Sequence, residues 1–174
     1  MKLIFSYTHD PFDNNDVFPI CIPHQMSEDR ERDEYICTYV SYFCSRYHSQ
    51  YTKNYMLEDL YNNSLTNCYI GVDAIDALID YDNVKIGYGL YEDDCEPEDY
   101  DPEDTVYIVI SREELIYLLE KWDEFLAKPI IDLNYEEIID TQDMYQYDLS
   151  LNHLMRNLKR VFNKCGRFWK SFLS

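Results

Sequence analysis

Residues 92–104, EDDCEPEDYDPED, hold nine carboxylates in thirteen positions, with two prolines and no base. Glu92, Asp93, Asp94, Glu96, Glu98, Asp99, Asp101, Glu103 and Asp104 repel one another, and nothing within the segment favours compaction. The expectation is an exposed loop between two strands. Carboxylates this dense can coordinate a hard cation or steer a basic surface. The spacing argues against the first: Asp99, Asp101 and Glu103 alternate like the start of a calcium loop, but Asp104 stands where Gly is required and Ile110 where a bidentate Glu should sit. The second chemistry is docking of a Lys- and Arg-rich partner, with Tyr91 and Tyr100 as aromatic anchors inside a charged frame. A solvated connection is the plain alternative.

Other reactive residue types give no catalytic pattern. His9, His24, His48 and His153 are scattered, without H-x-x-x-H or H-E-x-x-H spacing. No Gly-rich phosphate loop, G-x-S-x-G elbow or C-x-x-C pair occurs. Cys21, Cys37, Cys44, Cys68, Cys95 and Cys165 lie among apolar neighbours or in loops, and a cysteine on an apolar helix face is more often filler than nucleophile. A Cys–His pair brought together by folding, such as Cys44 with His9, is left open. The reading is a non-enzyme with no metal and no cofactor.

The charge total agrees with docking. Against 34 acids there are 15 Lys and Arg, a net of −19 with a pI near 4.3. That field repels nucleic acid and anionic membranes and speeds encounter with basic surfaces, and it exceeds what solubility needs. The start, MKLIFSYTHD, reads as a strand and not as a signal segment, and no apolar stretch is long enough to cross a bilayer. The expected compartment is the cytoplasm, with its cysteines reduced.

At 174 residues the chain suits one α+β domain, burying roughly 70% of its unfolded surface. The expected architecture is a small, mostly antiparallel sheet with three or more packed helices. KLIFSY (2–7) alternates as a strand, and Val17 to Ile22, broken by Pro19 and Pro23, fits only an edge strand or loop. Ser27 opens a helix over about 28–50, with Tyr35, Ile36, Tyr39, Val40, Phe43, Cys44 and Tyr47 on one face. Another turn or two of helix is expected over 55–61, a strand over 68–72, a short helix over 74–79, and a strand over 84–91 with a bulge at Gly87 or Gly89. TVYIVI (105–110) is the clearest strand. Ser111 and Glu114 then form a capping box for a helix striped with Leu115, Leu118, Leu119, Trp122, Phe125 and Leu126, and Pro129 stops it. Residues 130–133 and 137–139 are short apolar runs that could pair as strands.

Two further features bear on partners. Eighteen tyrosines are present, and Tyr42 falls off the apolar stripe of its helix, which makes it an interface candidate. From about 149 to 172 runs a basic amphipathic helix with six Lys and Arg and no acid, leaving −25 on residues 1–148. Its expected role is to pack on the domain and offset nearby acids.

The segment TVYIVISREELIYLLEKWDEFLAKP, residues 105–129, resembles a stretch found in small bacterial immunity proteins, which neutralise toxins of polymorphic and contact-dependent growth-inhibition systems. The resemblance spans 25 of 174 residues. It implies a cytosolic α+β protein without enzymatic activity that binds one secreted toxin domain, often a basic nuclease. The competing reading is a phage-type nucleic-acid mimic, whose carboxylates imitate phosphates to block a restriction or CRISPR effector. A mimic should spread its charge along a surface, whereas this chain gathers nine acids in one loop.

The cysteine reading is directly checkable. Denatured protein prepared without reductant should titrate six free thiols per chain, and a persistent bridge would overturn the compartment assignment.

Overall fold

The computed structural model describes residues 1–9, 17–24, 29–43, 50–93, 95–98, 100, 101, 103, 105–129 and 132–146. β1 (Lys2–His9) is the middle strand of a three-stranded antiparallel sheet. β2 (Val17–Pro23) lies on one side of it, with Ile4 opposite Ile22 and Tyr7 opposite Pro19. The two prolines cannot complete a ladder on both sides, so the run sits on an edge, as its sequence requires. Alternation along β1 drives Leu3 and Phe5 wholly into the core.

Helix α1 (Arg30–Phe43) buries Ile36, Tyr39, Val40 and Phe43, the predicted stripe. It begins later than its periodicity suggested, and residues 44–49 lie outside the described residues. The Asp29 carboxylate accepts the Arg32 backbone N–H at 3.1 Å, taking the capping place assigned to Ser27, which lies outside the described residues. Cys44 lies outside them too. Helix α2 (Gln50–Tyr61) follows.

A second antiparallel sheet has the order β3 (Asn67–Tyr69), β4 (Asp76–Asp80), β5 (Asn83–Tyr88), β6 (Val106–Ser111). β4 corrects the expected helix over 74–79. Ile75, Ala77 and Ile79 alternate into the core, a period of two that a short apolar run disguises. The β4–β5 hairpin turns on Tyr81 and Asp82, with Tyr81 at φ 54°. These are not the Asn-Gly or Asp-Gly pair that announces a two-residue hairpin. The bulge expected in β5 is absent: residues 83–88 face 111–106 without a break.

β6 runs directly into α3 (Arg112–Leu126). The Ser111 hydroxyl accepts the Glu114 N–H at 3.1 Å, so the predicted cap is formed. Arg112 is buried and donates to the carbonyls of Asn62 and Leu65, closing the turn after α2. Trp122 is fully buried, edge-on to Phe5 at 4.8 Å and stacked with Phe125 at 5.5 Å. β7 (Glu137–Asp140) is a strand, as its apolar run allowed, and pairs with β1; residues 130 and 131 lie outside the described residues, and a 3₁₀ turn (Thr141–Gln146) follows β7. The protein is thus a single α+β domain, its strands divided between two antiparallel sheets. Among the described residues no helix is long and apolar enough to cross a membrane.

Trp122→Ala should cost about 3–5 kcal/mol, because it empties the junction of sheet and helix. Denaturant unfolding should show a lower midpoint, whereas a variant as stable as wild type would remove Trp122 from the core.

Candidate partner-binding surface

The surface is built on the outer face of the second sheet. Ala77 and Ile79 point inward, so Asp76, Leu78 and Asp80 point outward, beside Tyr69 on β3, Lys85 and Gly87 on β5, and Tyr107 and Val109 on β6. Leu78 is only 5% exposed although it lies outside the main core, and so is Leu90 just beyond β5. This face carries a small apolar layer of its own.

Asp76 organises it. One carboxylate oxygen accepts the Tyr69 hydroxyl at 2.6 Å. The other accepts the backbone N–H groups of Gly89 at 2.8 Å and Leu90 at 3.2 Å. Gly89, at φ 71°, turns the chain out of β5 at this point. Burial, reinforced by the bond to Asp76, raises the Tyr69 phenol pKa and keeps it a donor. Gly87 is required for close approach, since a Cβ there would collide with the backbone of Val106 and Tyr107. Lys85 lies 3.0 Å from the Asp80 carboxylate and 5.4 Å from the Tyr107 ring centroid. Its hydrogen bond to Asp80 raises its pKa.

The acidic segment is anchored to this frame. Glu92 accepts the Tyr69 backbone N–H at 2.6 Å, and the Asp93 N–H donates to the Asn67 side chain at 3.0 Å. Tyr91 and Tyr100 meet edge-to-face at 5.4 Å, and the Tyr100 hydroxyl bonds with that of Thr105 at 3.0 Å. The expectation that nothing compacts this segment is therefore corrected. Charge pattern showed the repulsion but not the tyrosine pair that folds the loop across its own base.

Of the nine acids, Glu92 is half-buried and engaged as an acceptor, while Asp93, Glu96, Glu98, Asp101 and Glu103 are exposed. Asp94, Asp99 and Asp104 lie outside the described residues. Seven Lys and Arg side chains that the structure describes are engaged elsewhere. Lys2, Arg30, Arg32, Lys85, Lys121 and Lys128 pair with Asp140, Glu34, Glu114, Asp80, Glu124 and Glu137, and Arg112 binds carbonyls. None of these cations pairs with an acid of the loop. Nor do three or more His, Cys, Asp or Glu converge on a metal position among the described residues.

Tyr91 is exposed at the loop's start and Tyr100 is half-buried, so the pair is partly consumed by the fold. Tyr42 is exposed on α1, and no hydrogen bond or ring contact among the described residues links it to the loop. Its neighbour two turns earlier, Tyr35, packs edge-on against Tyr88 at 5.6 Å. Sequence reasoning missed Asp76, Tyr69 and Lys85. The alternation of Asp76 and Asp80 with apolar residues was the available signal.

Residues 1–145 match the model of a family described as of unknown function, DUF5376. The chain belongs to that family. It is 56% identical to the UPF0275 protein PM0493 of Pasteurella multocida strain Pm70, over 83% of this chain and 99% of the relative. PM0489 of the same strain is 40% identical over the same shares, and PM0505 39% identical over 83% of this chain and all of the relative. No solved structure matches. The matched part carries 33 acids against 9 bases and contains the whole acidic loop. The expected basic helix from 149 to 172 lies outside both the match and the described residues.

Asp76→Ala leaves two amide N–H groups and a phenol without their acceptor, a loss of about 1–3 kcal/mol for the local structure. Hydrogen exchange at Gly89 and Leu90 should accelerate while amides of α3 stay protected. Unchanged exchange at the two amides would show that the carboxylate does not hold the loop.

Proposed function

We propose that this protein is an acidic binding protein of the cytoplasm that acts by occupying a basic protein partner. The reading as an immunity-type inhibitor of a basic, nuclease-like toxin domain fits it best. The observation that carries this reading is the set of exposed carboxylates at Glu96, Glu98, Asp101 and Glu103, none of them paired with a described cation, on a loop anchored at its base. Anchored charge presents one fixed field to a partner, which favours steering and register over indiscriminate attraction. The diverged relatives within one strain support the same reading, since inhibitors matched to different targets would diverge in this way.

A nucleic-acid mimic acting on a nucleic-acid-processing enzyme is the competing use of the same acidity. The gathering of carboxylates at one loop, above a face with its own aromatic residues, favours a discrete epitope. Contact with nucleic acid or an anionic membrane is disfavoured by the charge.

Replacing Glu96, Glu98, Asp101 and Glu103 with Ser tests the proposal. A partner captured from the source cell should be basic and should associate more slowly as salt rises, because exposed charges are screened beyond about 8 Å at 0.15 M. The fourfold variant should fold normally, associate several-fold more slowly in stopped flow, and lose most of its salt dependence. Equal association rates at low salt would dismiss the loop as the docking element.

A further inference from the structure

The four sheet edges are not alike. β2 carries Pro19 and Pro23, β3 has three residues, and β7 has four with acids at both ends. Each has a guard against pairing with another chain. β6 has none: VYIVIS is six residues long, free of proline and charge, and in unbroken register with β5. Val106, Tyr107 and Val109 are 49%, 44% and 47% exposed.

Its backbone has a free side. The Arg112 N–H donates to the Asp82 carbonyl on the β5 side at 2.9 Å, so antiparallel alternation turns the N–H and C=O groups of Ile108 and Ile110 the same way. Those of Tyr107 and Val109 face outward, and no hydrogen bond to them occurs among the described residues. Such a row is a template for a further strand.

We propose that the free edge of β6 takes an extended, basic segment of a partner protein as an added strand. This deepens, and rests on, the reading of the acidic loop as a docking element. The occupant's chemistry follows from what flanks the edge. The acidic loop enters β6 through Thr105, and exposed Glu113 opens α3 at the other end, while Glu114 is already paired with Arg32. A strand on this edge meets valine and tyrosine at its centre and carboxylates at both ends, so alternating Lys or Arg with β-branched residues fits it. A second copy of this chain does not. Antiparallel β6–β6 pairing sets the loop of one copy beside Glu113 of the other, with −19 on each.

The probe is a short peptide in which Lys alternates with Val and Thr, offered to the full chain in three forms of equal charge. These are unmodified, N-methylated along one edge, and N-methylated along both edges. Strand addition needs one free edge, so the first two should bind alike and the third about tenfold more weakly. Val109→Pro removes only an outward N–H and should weaken the unmodified peptide to a similar degree. If that variant fails to fold, the three peptides on the wild-type chain still decide. Equal binding of all three, absence of binding by the unmodified form, or a wild-type dimer dissociated by Val109→Pro would each overturn the proposal. Equal binding of all three together with a loss in the Glu96, Glu98, Asp101, Glu103→Ser variant overturns strand addition and leaves acidic docking standing. Separation of the peptides with no effect of that variant upholds the edge and removes the loop.

Discussion

The packing of Trp122 on Phe5, ring centroids 4.8 Å apart, is where two sheets become one core. The sheets share no strand, and β1 with its neighbours has no ladder to β3–β6. Two helices join them: α1 bonds to β2 through Ser41 and packs Tyr35 on Tyr88 of β5, and α3 continues from β6 through a single capping residue and lays its apolar stripe on β1. Phe125 extends the contact, stacking on Trp122 and lying 4.9 Å from the Tyr7 ring. Because β6 and α3 are one covalent unit, the position of Trp122 also fixes where the second sheet stands, and with it the outer face that carries the acidic loop.

That arrangement separates stability from charge. The core is apolar and aromatic, and most described bases serve as short-range partners for acids of the frame. Exposed pairs of this kind contribute little each, so the fold does not depend on balancing its charge. The loop's anchors are hydrogen bonds and one ring pair. Glu92 and the Asp93 amide tie its start to β3, and Tyr91 with Tyr100 draws its middle back to its base. Had the loop been held by lysines, each would have cancelled a carboxylate. Held this way, Glu96, Glu98, Asp101 and Glu103 stay exposed and unpaired with any described cation.

Periodicity sufficed where an element was long and its boundaries carried specific chemistry. The Ser111 cap, the stripe of α3, the edge placement of β2 and the strand over 106–111 were all legible, because each rests on spacing within one segment. The strand at 76–80 was not. Seven apolar and acidic residues fit either period, and the turn after them uses Tyr81 and Asp82, which lack the glycine that marks a hairpin. The candidate surface was legible as charge and illegible as geometry. Nine acids are visible in any reading, but Asp76, sixteen residues before Glu92, becomes their organiser only once β4 and β5 are paired.

The division of charge along the chain places the proposed docking role in the part that matches the family. Residues 1–145, which match the family, contain both sheets, α3, the loop and the edge of β6, and PM0493, PM0489 and PM0505 are matched over 99 to 100% of their lengths by 83% of this chain. The six bases after residue 149 lie beyond it. Their presence therefore does not explain why the matched part is so acidic, since relatives spanning little more than that part form the same family. An excess of 24 carboxylates within residues 1–145 raises self-repulsion, and among the described residues no cation pairs with the exposed acids of the loop. A steady cost of that kind is consistent with a benefit outside the fold, in the encounter with a basic surface.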